Sequence, residues 1–346
     1  MNNATPNPKD PSNFRQMLLD SPDQLEVGFE IAKDIKLDGN FKSIEVSGMG
    51  GSALPANLLR VYLNDVFKKE PNIKNRLEIF QNRYYSLSHE AFDDCLNFIS
   101  SYSGNTEETI ESFEEAIENK LPCIGLSSGG KIEEMCKANN IPHIKLPIPF
   151  DNFQPRLGTG YFFGAIIQTL INMNLIPDTR IELLAASKKL KENIVSFEEQ
   201  GKSLAKKIAG KTPVIYSTTK FKPLAMIWKI QFNENGKTPA FWNFFPELNH
   251  NELVGYTTPQ GKFIAIMLRD RDDHPRNYKR FEISAQLLRN HGTEAEIIDI
   301  EEGDTFYKMF SSLLLGGFTS YNLALEYGND PTPVHMVEEL KKLLTE

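Results

Sequence analysis

The chain has 346 residues, of which 40% are hydrophobic and 24% charged. That composition excludes collagen-like, disordered and disulfide-stapled classes, and the length predicts about two domains. Lys+Arg is 38 and Asp+Glu is 46, a formal net charge of −8, which removes nucleic acid and anionic lipid as expected partners but not a small anion held by local donors.

The opening stretch, MNNATPNPKDPSNF, is polar and Pro-rich, so no signal peptide is expected there. An amphipathic helical pattern covers 14–35. Strands and helices then alternate: strand 43–49 (SIEVSGM), helix 54–66, strand 77–80, strand 96–101 (LNFISS), helix 107–120, strand 123–126, helix 132–138 and strand 143–146. Prolines 147, 149 and 155 punctuate the end of this half. A long apolar helix over 158–174 bridges to the next half, and 181–209 reads as one charged helix. The alternation restarts with strand 214–217, helix 224–233, strands 240–244 and 262–268, helix 275–290 and strand 295–300. Helices 306–327 and 334–344 close the chain. Strands spaced by helices of this length predict βαβ units and parallel sheets covered on both faces. The expected architecture is therefore α/β, two doubly wound parallel-sheet domains in tandem, over 1–152 and 153–346.

The longest apolar stretch, 161–176, carries Gln168, Asn172 and Asn174, so no membrane span is expected. Cys95, Cys123 and Cys136 are odd in number and form no CxxC pair, which predicts small buried hydrophobes in a reducing compartment, with the cytoplasm as default.

Two glycine-rich loops stand between a strand and a helix. In Gly48-Met49-Gly50-Gly51-Ser52 the glycines permit close backbone approach to an anion, and they equally suit a tight turn. Neither a Walker lysine nor a GxGxxG pattern is present. In Ser101-Tyr102-Ser103-Gly104-Asn105-Thr106-Glu107-Glu108, three hydroxyls (Ser101, Ser103 and Thr106) surround one helix N-terminus, more than an N-cap needs, which favours an anion site. Ser127-Ser128-Gly129-Gly130 reads as an ordinary capped turn. Both main loops fall at the C-terminal ends of parallel strands, where open α/β sheets bind ligands. They point to a small phosphorylated metabolite.

Three further features carry chemistry. Glu234, in Asn233-Glu234-Asn235-Gly236-Lys237, and His250, in Pro246-Glu247-Leu248-Asn249-His250-Asn251-Glu252, are a carboxylate and an imidazole suited to acid–base work. Each by itself also suits a solvated position. The flanking Asn249 and Asn251 amides are expected to orient the imidazole. No second histidine lies at ligand spacing, so no metal site is expected. Arg156, in Pro155-Arg156-Leu157-Gly158, suits either a structural anchor or a charge over an anionic intermediate.

GMGGS, SxSGNTEET, PRLGxG, NENGKxPAFWNxxPELNHNE and the terminal DPTPxxxxxELK lie in that order along nearly the whole chain. The sequence resembles the bifunctional phosphoglucose/phosphomannose isomerases, built from two SIS-type, flavodoxin-like sugar-isomerase domains. The resemblance implies interconversion of an aldose 6-phosphate with fructose 6-phosphate through a cis-enediolate, without metal or cofactor. It assigns Ser101, Ser103 and Thr106 to the phosphate and Gly50, Gly51 and Ser52 to the sugar. Glu234 would be the base between C2 and C1, Arg156 would stabilise the enediolate, and His250 would assist ring opening from the partner subunit of a homodimer. A C-terminal lysine, Lys341 or its neighbour Lys342, would also take part, and Thr332 is the nearest candidate for the threonine that admits the mannose epimer. The sequence departs from the family at Ile227, where an arginine is usual. That departure keeps open an alternative, a sugar-phosphate-binding sensor without turnover. An amino-sugar isomerase is disfavoured, since no glutaminase segment with a leading cysteine is expected.

Overall fold

The computed structural model describes residues 8–70, 73 and 76–344. Residues 1–7 of the polar opening stretch lie outside them. By packing, the chain divides into two units, one covering 20–189 and the other formed by the residues up to Leu19 and from Leu190 onward.

The helix expected over 14–35 is two helices, α1 (Phe14–Leu19) and α2 (Gln24–Ile31). Pro22 lies in the 3-10 turn between them and removes a backbone donor. The unit of 20–189 continues with β1 (Ser43–Ser47), α3 (Gly50–Lys69), β2 (Glu78–Asn82), β3 (Cys95–Ser100), α4 (Glu107–Glu118), β4 (Cys123–Ser127), α5 (Gly130–Asn139), β5 (His143–Lys145) and α6 (Thr159–Asn172). Its sheet has the order β2-β1-β3-β4-β5, and every pairing is parallel. The strands β1, β3 and β4 are buried at every residue, as a sheet covered on both faces requires. The winding direction reverses between β1 and β3, so the loops after those two strands flank the switch point.

The helix α6 packs in this unit because two glycines let it approach α2. A Cβ on Gly28 would stand 2.6 Å from the Tyr161 carbonyl oxygen and 2.9 Å from Gly164 Cα. The buried Gln24 side chain adds two bonds, donating to the Leu157 carbonyl at 2.8 Å and accepting from the Gly160 amide at 3.1 Å. Residues on both sides of position 152 thus share one packed body.

The second unit contains most of the remaining elements. Where one helix was expected over 181–209, the chain forms α7 (Arg180–Glu192) and α8 (Ile194–Ile208), interrupted at Asn193. Then come β6 (Thr212–Thr218), α9 (Lys222–Glu234), β7 (Phe241–Phe245), β8 (Phe263–Arg269), α10 (Pro275–Asn290), β9 (Glu294–Asp299), α11 (Thr305–Glu326) and α12 (His335–Leu344). The sheet order is β7-β6-β8-β9, again all parallel. It repeats the β2-β1-β3-β4 winding of the first sheet. On one face, Tyr216, Phe245, Met267, Phe281 and Leu288 form a core cluster. Elsewhere Trp228 of α9 is fully buried and donates its indole N–H to the Ser312 carbonyl of α11 at 2.9 Å.

No described helix is long and apolar enough to cross a membrane. The three thiols are all buried, and burial pushes Cys95 up to about 11 and Cys123 and Cys136 up to about 12. Since the thiolate is the reactive form, the native protein at pH 8 is expected to leave Ellman's reagent unreacted. After denaturation it should titrate three thiols. A thiol that reacts rapidly in the native state would contradict this.

Candidate active site

The first cluster forms around the switch point of the first sheet. The chain leaves β1 through Gly48, where a Cβ would stand 2.4 Å from the Ser100 carbonyl oxygen, so a larger residue would separate β1 from β3. Gly50 has φ +50°, the left-handed region that glycine tolerates without cost. Gly51 presses against the PRLG turn: an added Cβ would meet Arg156 Cα at 2.6 Å. Ser52 then joins the second loop, its hydroxyl accepting the Tyr102 amide at 2.9 Å and its carbonyl accepting the Ser100 hydroxyl at 2.8 Å. Three motifs far apart in sequence thus meet.

The loop after β3 is held from within by its own hydroxyls. Ser101 Oγ lies 2.8 Å from Thr106 Oγ1 and accepts the Gly104 amide at 3.1 Å, and Ser103 Oγ accepts the Asn105 amide at 3.2 Å. Thr106 occupies the N-cap position of α4, yet its side chain caps no amide. Acidic Glu107 and Glu108 fill the first turn, as the helix dipole favours. The Arg156 guanidinium is half-buried and donates to Gln154 Oε1 at 2.7 Å.

The SSGG stretch is a turn, but no side chain caps it. The N-cap of α5 is Gly129, without a side-chain cap. Ser128 turns its hydroxyl to the Tyr102 carbonyl at 2.7 Å, and Ser127 turns its own to the Gly129 carbonyl and to His143 Nε2. The segment buttresses the preceding loop so closely that a Cβ on Gly104 would overlap the Gly129 carbonyl oxygen.

The second cluster forms at the end of α9. Glu234 is the last helical residue and is half-buried. The residues around it are scaffolding. Asn233 donates to the Thr238 carbonyl at 2.9 Å, and the buried Asn235 donates to Ser320 Oγ of α11 at 3.0 Å. Gly236 is needed for space, since a Cβ there would stand 2.9 Å from the Phe232 carbonyl oxygen. The left-handed residue is Lys237, at φ +52°. Glu234 and Lys237 line a cavity of about 670 Å³ together with Asp330, Pro333, Val334 and Val337.

His250 ends the 3-10 turn Glu247–His250 and is exposed, outside that cavity. Its neighbours do not orient the imidazole as expected. Asn249 is engaged at both ends of its amide, by Ser284 Oγ and Arg280. Asn251 donates to Glu247 and accepts the Glu252 amide. Glu252 is tied in turn to Tyr216 and Asn243. The PELNHNE motif is thus a rigid mount for an exposed histidine. Lys341 and Lys342 lie on the exposed helix α12, and Thr332 is buried, its amide held by Asp330 Oδ1 at 2.8 Å. Ile227 sits in the core of its unit, 2% exposed.

The second sheet has a switch point too, between β6 and β8, and its chemistry differs. There Lys308 Nζ lies 2.6 Å from Asp270 Oδ1 and 2.5 Å from Asp272 Oδ2, with Lys220 at 3.5 Å from Asp270. Lys308 and Asp270 are both buried. An internal ion pair fills the place that glycines and hydroxyls hold in the first sheet. Sequence reasoning missed this pair, and also Gln24 and Lys237. For Lys237 a signal existed, its place in the NENGK motif.

Residues 197–344 match the family model of the bacterial phospho-glucose isomerase C-terminal SIS domain. A protein of Caldicellulosiruptor bescii named bifunctional phosphoglucose/phosphomannose isomerase is 34% identical, over 94% of this chain and 97% of its own length. One of the same name from Aquifex aeolicus is 33% identical, over 91% of this chain and 93% of its own. Among solved structures, the C-terminal domain of glucosamine-fructose-6-phosphate aminotransferase from Francisella tularensis superposes with a TM-score of 0.64 at 13% identity, over 92% of this chain and 98% of that one. At that identity the likeness is one of fold.

Proposed function

The chain belongs to the bifunctional phosphoglucose/phosphomannose isomerase family, and from that premise we propose that it interconverts glucose 6-phosphate and mannose 6-phosphate with fructose 6-phosphate in the cytoplasm. The observation that carries this reading is the mounting of Glu234: a carboxylate at a helix end, braced by Asn233 and Asn235, on the wall of a cavity of about 670 Å³.

The proposed steps need no metal. The Ser101, Ser103 and Thr106 hydroxyls and the backbone amides at the start of α4 hold the phosphate, whose charge the helix N-terminus complements. Gly50, Gly51 and Ser52 line the sugar. Once the ring is open, the Glu234 carboxylate removes the C2 proton of the aldose, leaving a cis-enediolate; a proton passes from the C2 hydroxyl to O1, and the Glu234 carboxyl returns its proton to C1 to give the ketose. The reverse reaction moves the proton from C1 to C2. The enediolate is anionic, so the Arg156 guanidinium contributes more in the transition state than in the ground state. His250 assists ring opening from the partner subunit of a homodimer, and Lys341 assists from α12.

A coupled assay with glucose 6-phosphate and mannose 6-phosphate side by side, with and without EDTA, tests the reading. Turnover of both epimers, unchanged by EDTA, is expected. Turnover of only one removes the dual specificity, and loss in EDTA removes the metal-free mechanism. Thermal stabilisation by fructose 6-phosphate without any turnover would favour a sensor, the reading that Ile227 in place of the family's usual arginine keeps open.

A further inference from the structure

Lys237 has a role that the proposed chemistry does not use. Its ammonium donates to the Glu234 carbonyl at 2.6 Å, to the Pro331 carbonyl at 3.2 Å and to the Pro333 carbonyl. An ammonium has three protons and no acceptor, and here three carbonyls surround it. The Glu234 carbonyl is among the last of α9, which has no amide further along the helix to pair with. The other two belong to the segment leading into α12. Pro331 and Pro333 lack an N–H, and the Thr332 amide is taken by the Asp330 side chain. The Pro331–Pro333 segment therefore has no backbone donor of its own for fastening to α9. Lys237 supplies the donors, from a left-handed backbone conformation that a side chain disfavours.

We propose that Lys237 is a positioning residue that clamps the Pro331–Pro333 segment to the end of α9 and so fixes the cavity wall that stands with Glu234. Its catalytic consequence rests on the function proposed above. A base must come within about 2.6–3.2 Å of the proton it moves, so a loosened wall lets the reacting carbon settle out of its reach.

The test uses the full chain with Lys237→Met, which keeps the aliphatic stem and removes the donors, and Lys237→Arg, which keeps the charge. Fructose 6-phosphate kinetics are read well below the melting temperature, and hydrogen exchange is read over 332–344. In Lys237→Met, kcat is expected to fall about 10–100-fold with KM within about threefold of wild type. Amides over 332–344 should exchange faster while those of α9 keep their protection. Lys237→Arg should recover most of both. A purely stabilising role would lower the melting temperature and leave kcat of the folded enzyme unchanged. Wild-type kcat together with wild-type exchange in Lys237→Met overturns the proposal. If the wild type itself turns over no sugar phosphate, the functional reading has failed instead, and the exchange measurement alone decides the clamp. Should Lys237→Met not fold, Lys237→Gln is measured by the same criteria.

Discussion

Glu234→Gln is expected to lower the turnover of fructose 6-phosphate by about 10²–10⁴-fold, the usual contribution of a positioned base. The substitution keeps the size of the side chain and one acceptor oxygen but removes the basic carboxylate. The bracing of this helix end through Asn233, Asn235 and the Glu234 main-chain carbonyl is retained. Fructose 6-phosphate is therefore expected to raise the melting temperatures of the variant and the wild type alike. A variant with full activity would remove Glu234 from the proposed mechanism. One that loses ligand stabilisation as well would make Glu234 a binding group.

The second large effect is on stability. Lys308→Met is expected to destabilise the protein by about 3–5 kcal/mol, because removing one partner leaves an uncompensated buried charge. Asp270 is 2% exposed, and the remaining cation, Lys220, stands at 3.5 Å and is itself well exposed. For Lys308 burial pulls the pKa down, but the hydrogen bonds to Asp270 and Asp272 together with the negative charge of both carboxylates outweigh it, and the net shift is upward from 10.5. A lysine with a raised folded pKa contributes its stability fully below the unfolded value and loses it as pH rises through the folded one. The contribution should accordingly be constant across neutral pH and disappear only in the alkaline range. Combining Lys308→Met with Asp270→Leu should recover most of the loss, since an apolar pair of similar volume can replace a buried ion pair. Chemical denaturation of the single and double variants at pH 7 checks both statements. A single variant within about 0.5 kcal/mol of wild type, the range of ordinary surface changes, would contradict the first.

Elements with strong local signals were legible in the sequence almost to the residue. The helix at Pro275–Asn290 begins on its proline and ends where expected. The strands at Cys95–Ser100 and Cys123–Ser127 stand out because a fully buried parallel strand reads as a near-continuous apolar run. The helix breaks at Pro22 and Asn193 were harder to see, because the amphipathic pattern continues across both. The loops around Gly50 and Ser103 were legible as glycine- and hydroxyl-rich turns after strands. Their mutual contact was not, since Gly51 and Arg156 are brought together only by packing.

The same distinction separates the candidate residues from their supports. Glu234, His250, Arg156 and the three hydroxyls of the loop after β3 were named from residue type, spacing and motif, all of which are local properties of a chain. Strand order, the burial of Lys308 against a carboxylate 38 positions away, and the grip of Lys237 on carbonyls 94 and 96 positions on were decided by tertiary structure. Chain pattern reports which face of an element seeks the core and where the backbone turns. It does not report which distant carbonyl or carboxylate a buried charge will meet, because that partner is set by how whole elements pack, and many chain positions offer the same donor or acceptor.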